Sequence, residues 1–323
     1  QATATPVARR AETLLRRLEW TVLRRLDGLL QGDYRTLMRG SGLDLADLRE
    51  YQPSDDVRHI DWNVTARLGL PHVRQFMEDR DMNAWFLLDL SASVDFGSST
   101  QTKRRLSREF VAVLARLLSG HGNRIGALLY GGGLHRVLPA RSGRQHLLEI
   151  LHAMNPPEQP PPDGDTTRLH ELLAAAMPML RRRSTVFVVS DFISQPGWHE
   201  ALGRLVLRHD VVAVRLLDPL ELELPDLGLI PIRDAETGEQ IVVDTNDKGV
   251  RQRFARIAAQ REAPLRDSLA RAGVDTLELA TDEDLTDAVL RFVDLRERRV
   301  RHGALGRPMP TQLPRRTREG VRA

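Results

Sequence analysis

Two apolar runs, each closed by an aspartate, constrain the fold of this chain more than any other feature. Ala84-Trp85-Phe86-Leu87-Leu88 stops at Asp89, and the run from Thr185 to Ser190 stops at Asp191. A short apolar run without polar alternation is how a strand covered on both faces reads, and such strands belong to parallel sheets wrapped by helices. The polar stop marks the carboxyl edge of the sheet. Around these runs the periodicity predicts helices near Lys103 to Leu118, Arg144 to His152, Leu169 to Met179 and Trp198 to Arg208. It predicts strands from Ile125 to Tyr130, Leu134 to Leu138 and Val211 to Leu216. A hairpin follows (Ile230 to Arg233 and Gln240 to Val243, turning near Gly238), then a long helix from Lys248, a strand from Asp275 to Leu279 and a helix from Asp284. Strands alternating with helices imply an α/β fold with a doubly wound, Rossmann-like, mostly parallel sheet. Ligands of such sheets sit at the carboxyl ends of the strands.

Three parts are expected along the chain. Residues 1–80 form a leader subdomain. It opens with an amphipathic helix from Ala8 to Leu30, whose leucines recur at three-and-four spacing, and continues from Gly32 to Arg80 as an irregular region with short strands. Residues 81–298 form the α/β domain, crossed by a stiff proline connector (Pro156, Pro157, Pro160, Pro161, Pro162). Residues 299–323 form a basic tail expected to be disordered.

The composition narrows the function classes. At 323 residues with 41% hydrophobic and 28% charged residues, the chain reads as a folded globular protein. It has no cysteine, which removes disulfides, thiolate zinc sites and cysteine nucleophiles and fits a cytoplasmic setting. No apolar run reaches the roughly 18 residues needed to cross a bilayer, because Arg116 interrupts the strongest candidate. Net charge is only +3, but arginine far outnumbers lysine and gathers at the two ends of the chain. Those ends offer a third functional reading, nucleic-acid binding. With 5% aromatics and no binding motif, nucleic acid is not the expected partner.

The chemistry concentrates in Asp89-Leu90-Ser91-Ala92-Ser93, a carboxylate followed by hydroxyls at alternate positions. Two further oxygen donors fall at the same predicted edge: Thr167, ahead of a helix, and Asp191, after a strand. Magnesium takes six hard oxygen ligands and keeps some of its waters, so carboxylates and hydroxyls suit it. Taken alone, the first triplet would read as a helix cap or a turn. In combination the five residues point to a hard divalent cation.

This set resembles the metal-ion-dependent adhesion site of the von Willebrand factor A fold, whose pattern is Asp-x-Ser-x-Ser, then a threonine, then an aspartate after a later strand. The resemblance assigns Asp89, Ser91, Ser93, Thr167 and Asp191 to Mg2+, with Mn2+ or Ca2+ as alternatives. Thr166 is a rival for the threonine, and Thr167 is preferred because Thr167-Arg168-Leu169 matches the family's Thr-x-Leu. A longer stretch, from Gly42 to Pro53 and from Asp55 to Arg67, resembles the signature of the bacterial "domain of unknown function 58" family, with Ser54 where the family usually has glycine. The likeness spans roughly residues 30 to 295. It implies a cytoplasmic adaptor or chaperone-like partner of a MoxR-type AAA+ ATPase, and the adhesion-type site implies a protein partner that supplies a carboxylate to the metal.

The signature is dense in charge, yet Tyr51, Ile60 and Trp62 within it ask for burial. One reading is an ion-pair network bracing the leader on the core. The other is a partner-facing patch of Arg58, His59, Asp61, Trp62 and Arg67 with Trp62 as its anchor. No catalytic residue is assigned and an enzyme is not expected, because no activated nucleophile is identifiable. The alternative is a metal-dependent hydrolase, such as a phosphatase, using Asp89. Its weakness is Ser91, which stands where that chemistry needs a second aspartate.

Overall fold

The computed structural model describes residues 45–52, 57, 60–76, 83–98, 101–120, 122–131, 133–155, 167–233 and 240–301. The expected helix at 8–30, Arg58, His59, the proline connector, Thr166, Gly238 and the tail beyond 301 lie outside them. The leader contributes strands β1 (Leu45–Glu50) and β2 (His72–Phe76), paired antiparallel, and a short helix α1 (Trp62–Leu68) between them. A strand content was expected here, and the helix was not.

The α/β domain follows the predicted alternation: β3 (Asn83–Asp89), α2 (Lys103–Gly120), β4 (Arg124–Tyr130), β5 (Leu134–Arg141), α3 (Arg144–Ala153), α4 (Leu169–Met179), β6 (Ser184–Ser190), α5 (Trp198–Val206) and β7 (Asp210–Leu217). The hairpin β8 (Leu229–Arg233) and β9 (Gln240–Asp244) leads to α6 (Lys248–Ala272), β10 (Asp275–Ala280) and α7 (Leu285–Arg301). Six strands form the central sheet in the order β10-β7-β6-β3-β4-β5. All neighbours are parallel except β4 and β5, so β5 is an antiparallel edge. This is the doubly wound, mostly parallel α/β sheet expected from the sequence.

Side chains of β3 alternate between two apolar layers, because successive residues of a strand point to opposite faces. Ala84, Phe86 and Leu88 pack under α2, α3 and α7. The ring of Phe86 stacks on Phe187 at 5.3 Å and meets Phe110 edge-on at 6.5 Å. Trp85 and Leu87 face α4, α5 and the end of α6. Each such buried side chain contributes roughly 1.5 to 3 kcal/mol, which explains why the run admits no polar residue before Asp89. On β4, Gly126 pairs with Trp85, and a Cβ there would lie 2.6 Å from the indole, so that ring takes the space a side chain would fill.

Ion pairs fasten the outer helices. Arg215 on β7 bridges Glu262 of α6 and Glu278 of β10. Arg296 of α7 reaches Asp210 at 2.6 Å and Asp275 at 3.0 Å, tying that helix to the amino ends of β7 and β10. Asp247 caps α6 by accepting from Gly249 N at 2.7 Å, and Gly273 ends the helix with φ +69°. No helix among the described residues is long and apolar enough to cross a membrane.

Candidate metal centre

The order of the sheet reverses beside β3. From β3 the chain builds β4 and β5 toward one edge, then crosses to place β6, β7 and β10 on the other side. The crevice at the carboxyl ends of β3 and β6 is therefore the switch point where this architecture leaves room for a ligand. Asp89 ends β3 and Asp191 immediately follows β6, so both carboxylates stand at that crevice.

Asp89 is fully buried. Its Oδ1 accepts from Ser91 N at 3.0 Å and its Oδ2 from Ser190 Oγ at 2.6 Å. Ser91 and Ser93 are also buried, with their hydroxyl oxygens 3.1 Å apart. Arg104 braces this loop from α2, donating to the carbonyls of Leu90 at 2.9 Å and Ser91 at 3.4 Å while pairing with Asp95. Asp191 Oδ1 accepts from Ile193 N at 3.0 Å, and its Oδ2 accepts from Lys103 Nζ at 2.8 Å. Between them Phe192 takes φ +59°, which is costly for a residue with a side chain. Its ring rests on Trp198 at 5.2 Å, holding the chain in that turn.

Thr167 is buried, and its carbonyl accepts from Ser194 Oγ at 2.9 Å and Gln195 N at 3.0 Å, in the segment that follows Asp191. Arg168 N donates to Tyr130 Oη at 3.2 Å, at the end of β4. The Thr167 loop is thus stitched to both neighbouring strand ends, and all five predicted ligands lie at the same edge of the sheet in buried positions.

Two participants escaped the sequence reading. Lys103, the first residue of α2, has no exposed surface and donates to Glu221 Oε1 at 2.7 Å as well as to Asp191. A signal was present: lysine occurs only at 103 and 248 in a chain with 47 basic residues. Asp218, just after β7, is a third buried strand-end carboxylate. It accepts from Ser98 N at 2.8 Å, Leu220 N at 2.9 Å, Thr281 Oγ1 at 2.6 Å and Ser98 Oγ.

Burial, and then the neighbouring charge of Asp191, push the Asp89 carboxyl up to about 6, against hydrogen bonds from Ser190 and Ser91 that pull it down. Burial works against the charged form of Lys103, but Asp191 and Glu221 more than offset it and its pKa is raised. Two buried carboxylates, one of which raises the pKa of the other, are an arrangement a dication relieves. Among the described residues no group of three or more His, Cys, Asp or Glu is placed to hold a metal. A cation here would depend on the hydroxyls and on water, which suits magnesium better than a softer ion. The donor set fits the group that the resemblance implies.

In the leader, Asp61 is buried and caps α1, its Oδ1 accepting from Val64 N at 3.2 Å. That cap takes the inward position, and Trp62 beside it is 69% exposed, contrary to the burial its size suggested. Arg67 is exposed as well.

The sheet defines a doubly wound, mostly parallel α/β protein. The chain belongs to the family described as "Protein of unknown function DUF58", which matches residues 47–264. It is 40% identical over 291 residues to an uncharacterized protein of Mycobacterium tuberculosis, covering 88% of this chain and 89% of that one. Among solved structures it is similar to the conserved hypothetical protein BatB from Bacteroides thetaiotaomicron, with 15% identity, 68% of this chain and 98% of that chain covered, and a TM-score of 0.40. It is also similar to the SpRpn10 VWA domain, with 12% identity, 65% and 94% covered, and a TM-score of 0.34.

Proposed function

We propose that this protein is a divalent-metal-dependent protein-binding module, in which Asp89, Ser91, Ser93, Thr167 and Asp191 hold Mg2+, or Mn2+ or Ca2+ in its place. The observation that carries this reading is the buried pair Asp89 and Asp191 at the switch point of the sheet, beside two hydroxyls 3.1 Å apart. When bound, the ion supplies a positive, oxygen-seeking point at the sheet's carboxyl edge. The protein's own residues orient the donors: Ser190 and the Ser91 amide hold Asp89, Lys103 and the Ile193 amide hold Asp191, and Arg104 fixes the serine loop. With few carboxylates among the donors, a carboxylate from a partner protein completes the site. The family resemblance makes a MoxR-type AAA+ ATPase the first partner to test, with this chain as its cytoplasmic adaptor or chaperone-like companion. The hydrolase alternative has less support, because Ser91 stands where that chemistry needs a second aspartate.

The test is capture of the MoxR-type ATPase from the same genome by the immobilised full chain. Binding is expected in Mg2+, and it is expected to vanish in excess chelator and in Asp89→Ala, whose circular dichroism stays that of the native protein. Equal capture with and without chelator would refute metal-dependent recognition.

A further inference from the structure

Lys103 carries the next step. Its ammonium has no exposed surface, and it lies 2.8 Å from Asp191 Oδ2 and 2.7 Å from Glu221 Oε1. Glu221 uses its other oxygen to accept from Asp218 N at 3.0 Å, closing the turn Pro219–Glu221 that follows β7. The amides of Leu220, Glu221, Leu222 and Glu223 are all hydrogen-bonded within that turn. One buried charge therefore joins a proposed metal ligand to a second element of the same sheet edge.

We propose that Lys103 is a tethered cation that shares Asp191 with the divalent ion and transmits the ion's arrival to the turn at Glu221. This rests on the metal-binding reading above and goes beyond it by naming the element that responds. The physical reason is charge. Two carboxylates, Asp191 and Glu221, share one ammonium, and a dication added on the Asp89 and Asp191 side repels that ammonium toward Glu221. An ammonium suits the task because it is a compact point charge with rotatable donors, able to shift weight between two carboxylates where a planar guanidinium is fixed by its fork. That a chain built almost wholly on arginine places one of its two lysines here fits this requirement.

The experiment measures Mn2+ binding by calorimetry, and amide exchange over residues 220–223, on the full chain, on Lys103→Met and on Glu221→Gln. Lys103→Met is expected to bind Mn2+ at least about tenfold more tightly, since the competing charge is gone. Saturating Mn2+ is expected to change exchange at 220–223 in the native chain. In Glu221→Gln the metal still binds and the turn no longer responds, so this variant carries the test alone if Lys103→Met does not fold. Unchanged or weaker affinity in a folded Lys103→Met, or a native turn indifferent to bound Mn2+, overturns the proposal. Absence of Mn2+ binding in both the native chain and Lys103→Met overturns the metal reading itself, which separates the two failures.

Discussion

Asp89 and Asp218 occupy equivalent places in the architecture, one closing β3 and the other following β7, and neither exposes any surface. Their environments differ in donors and in neighbours. Around Asp218 the backbone and hydroxyl of Ser98, the amide of Leu220 and the hydroxyl of Thr281 all point at the carboxylate. Burial alone would raise its pKa, yet those hydrogen bonds outweigh it and hold the carboxyl below its ordinary value. Asp89 accepts from Ser190 and Ser91, but burial and then the charge of Asp191 outweigh those hydrogen bonds, and its carboxyl rises to about 6. For two strand-end aspartates without exposed surface, the depth of burial, the neighbouring charge and the number of donors together set whether the carboxyl is pushed up or held down.

The sharpest way to break this contrast is to remove one charge at a time in chelator. Asp218→Asn keeps a single carbonyl acceptor and turns an amide toward donors that needed an oxygen. It is expected to cost about 3 kcal/mol, in line with losing charge-assisted hydrogen bonds and leaving donors buried. Asp89→Asn removes a repelled charge and is expected to stay within about 1 kcal/mol of the native protein. Urea unfolding at pH 7 measures both. Equal losses would mean that Asp89 is as structural as Asp218.

This contrast also shows how far the sequence could be read. Asp89 and Asp191 were legible because an apolar run ending in a charge is local information, and the strand it implies has a known exit. Lys103 was not, since a lysine opening a helix ordinarily faces water; its partners Asp191 and Glu221 lie 88 and 118 residues away. Asp218 was missed for the same reason, as Ser98 and Thr281 come to it from distant segments. The role of Gly126 emerges only from the strand register, which places it against the Trp85 ring. Trp62 misled in the opposite direction, because the aromatic suggested burial and the neighbouring cap residue took the inner position instead.

A smaller effect tests the electrostatic half of the comparison. The folded state holds a proton on Asp89 more tightly than the unfolded chain does between the ordinary value of 3.8 and about 6. Stability from this group therefore rises as pH falls from 7 through 6, and it levels off below 3.8. Between pH 7 and pH 5 the gain should be on the order of 1 kcal/mol in chelator. Asp218 has the opposite sign: its contribution is complete above 3.8 and is lost as pH falls through its lower folded value. Comparing the native chain with Asp89→Asn in urea at the two pH values isolates the first term. The variant should lose that gain, and a native slope surviving in it would assign the effect to another group.

The finest adjustment lies in Ser190. Its hydroxyl donates to Asp89 Oδ2 at 2.6 Å and accepts from Phe192 N at 2.9 Å, so it both steadies the carboxylate and supports the left-handed turn beyond Asp191. Ser190→Ala removes a donor that favours the charged form of Asp89. The carboxyl should then titrate higher still, by about half a pH unit, and the pH-dependent gain in stability should begin nearer neutrality. Loss of the Phe192 contact lowers stability at every pH alike, so the position of the slope, not its height, reports on Asp89. A downward displacement would show that the hydroxyl spends its proton elsewhere, and that Asp89 is held by its neighbours differently from the way the contrast with Asp218 requires.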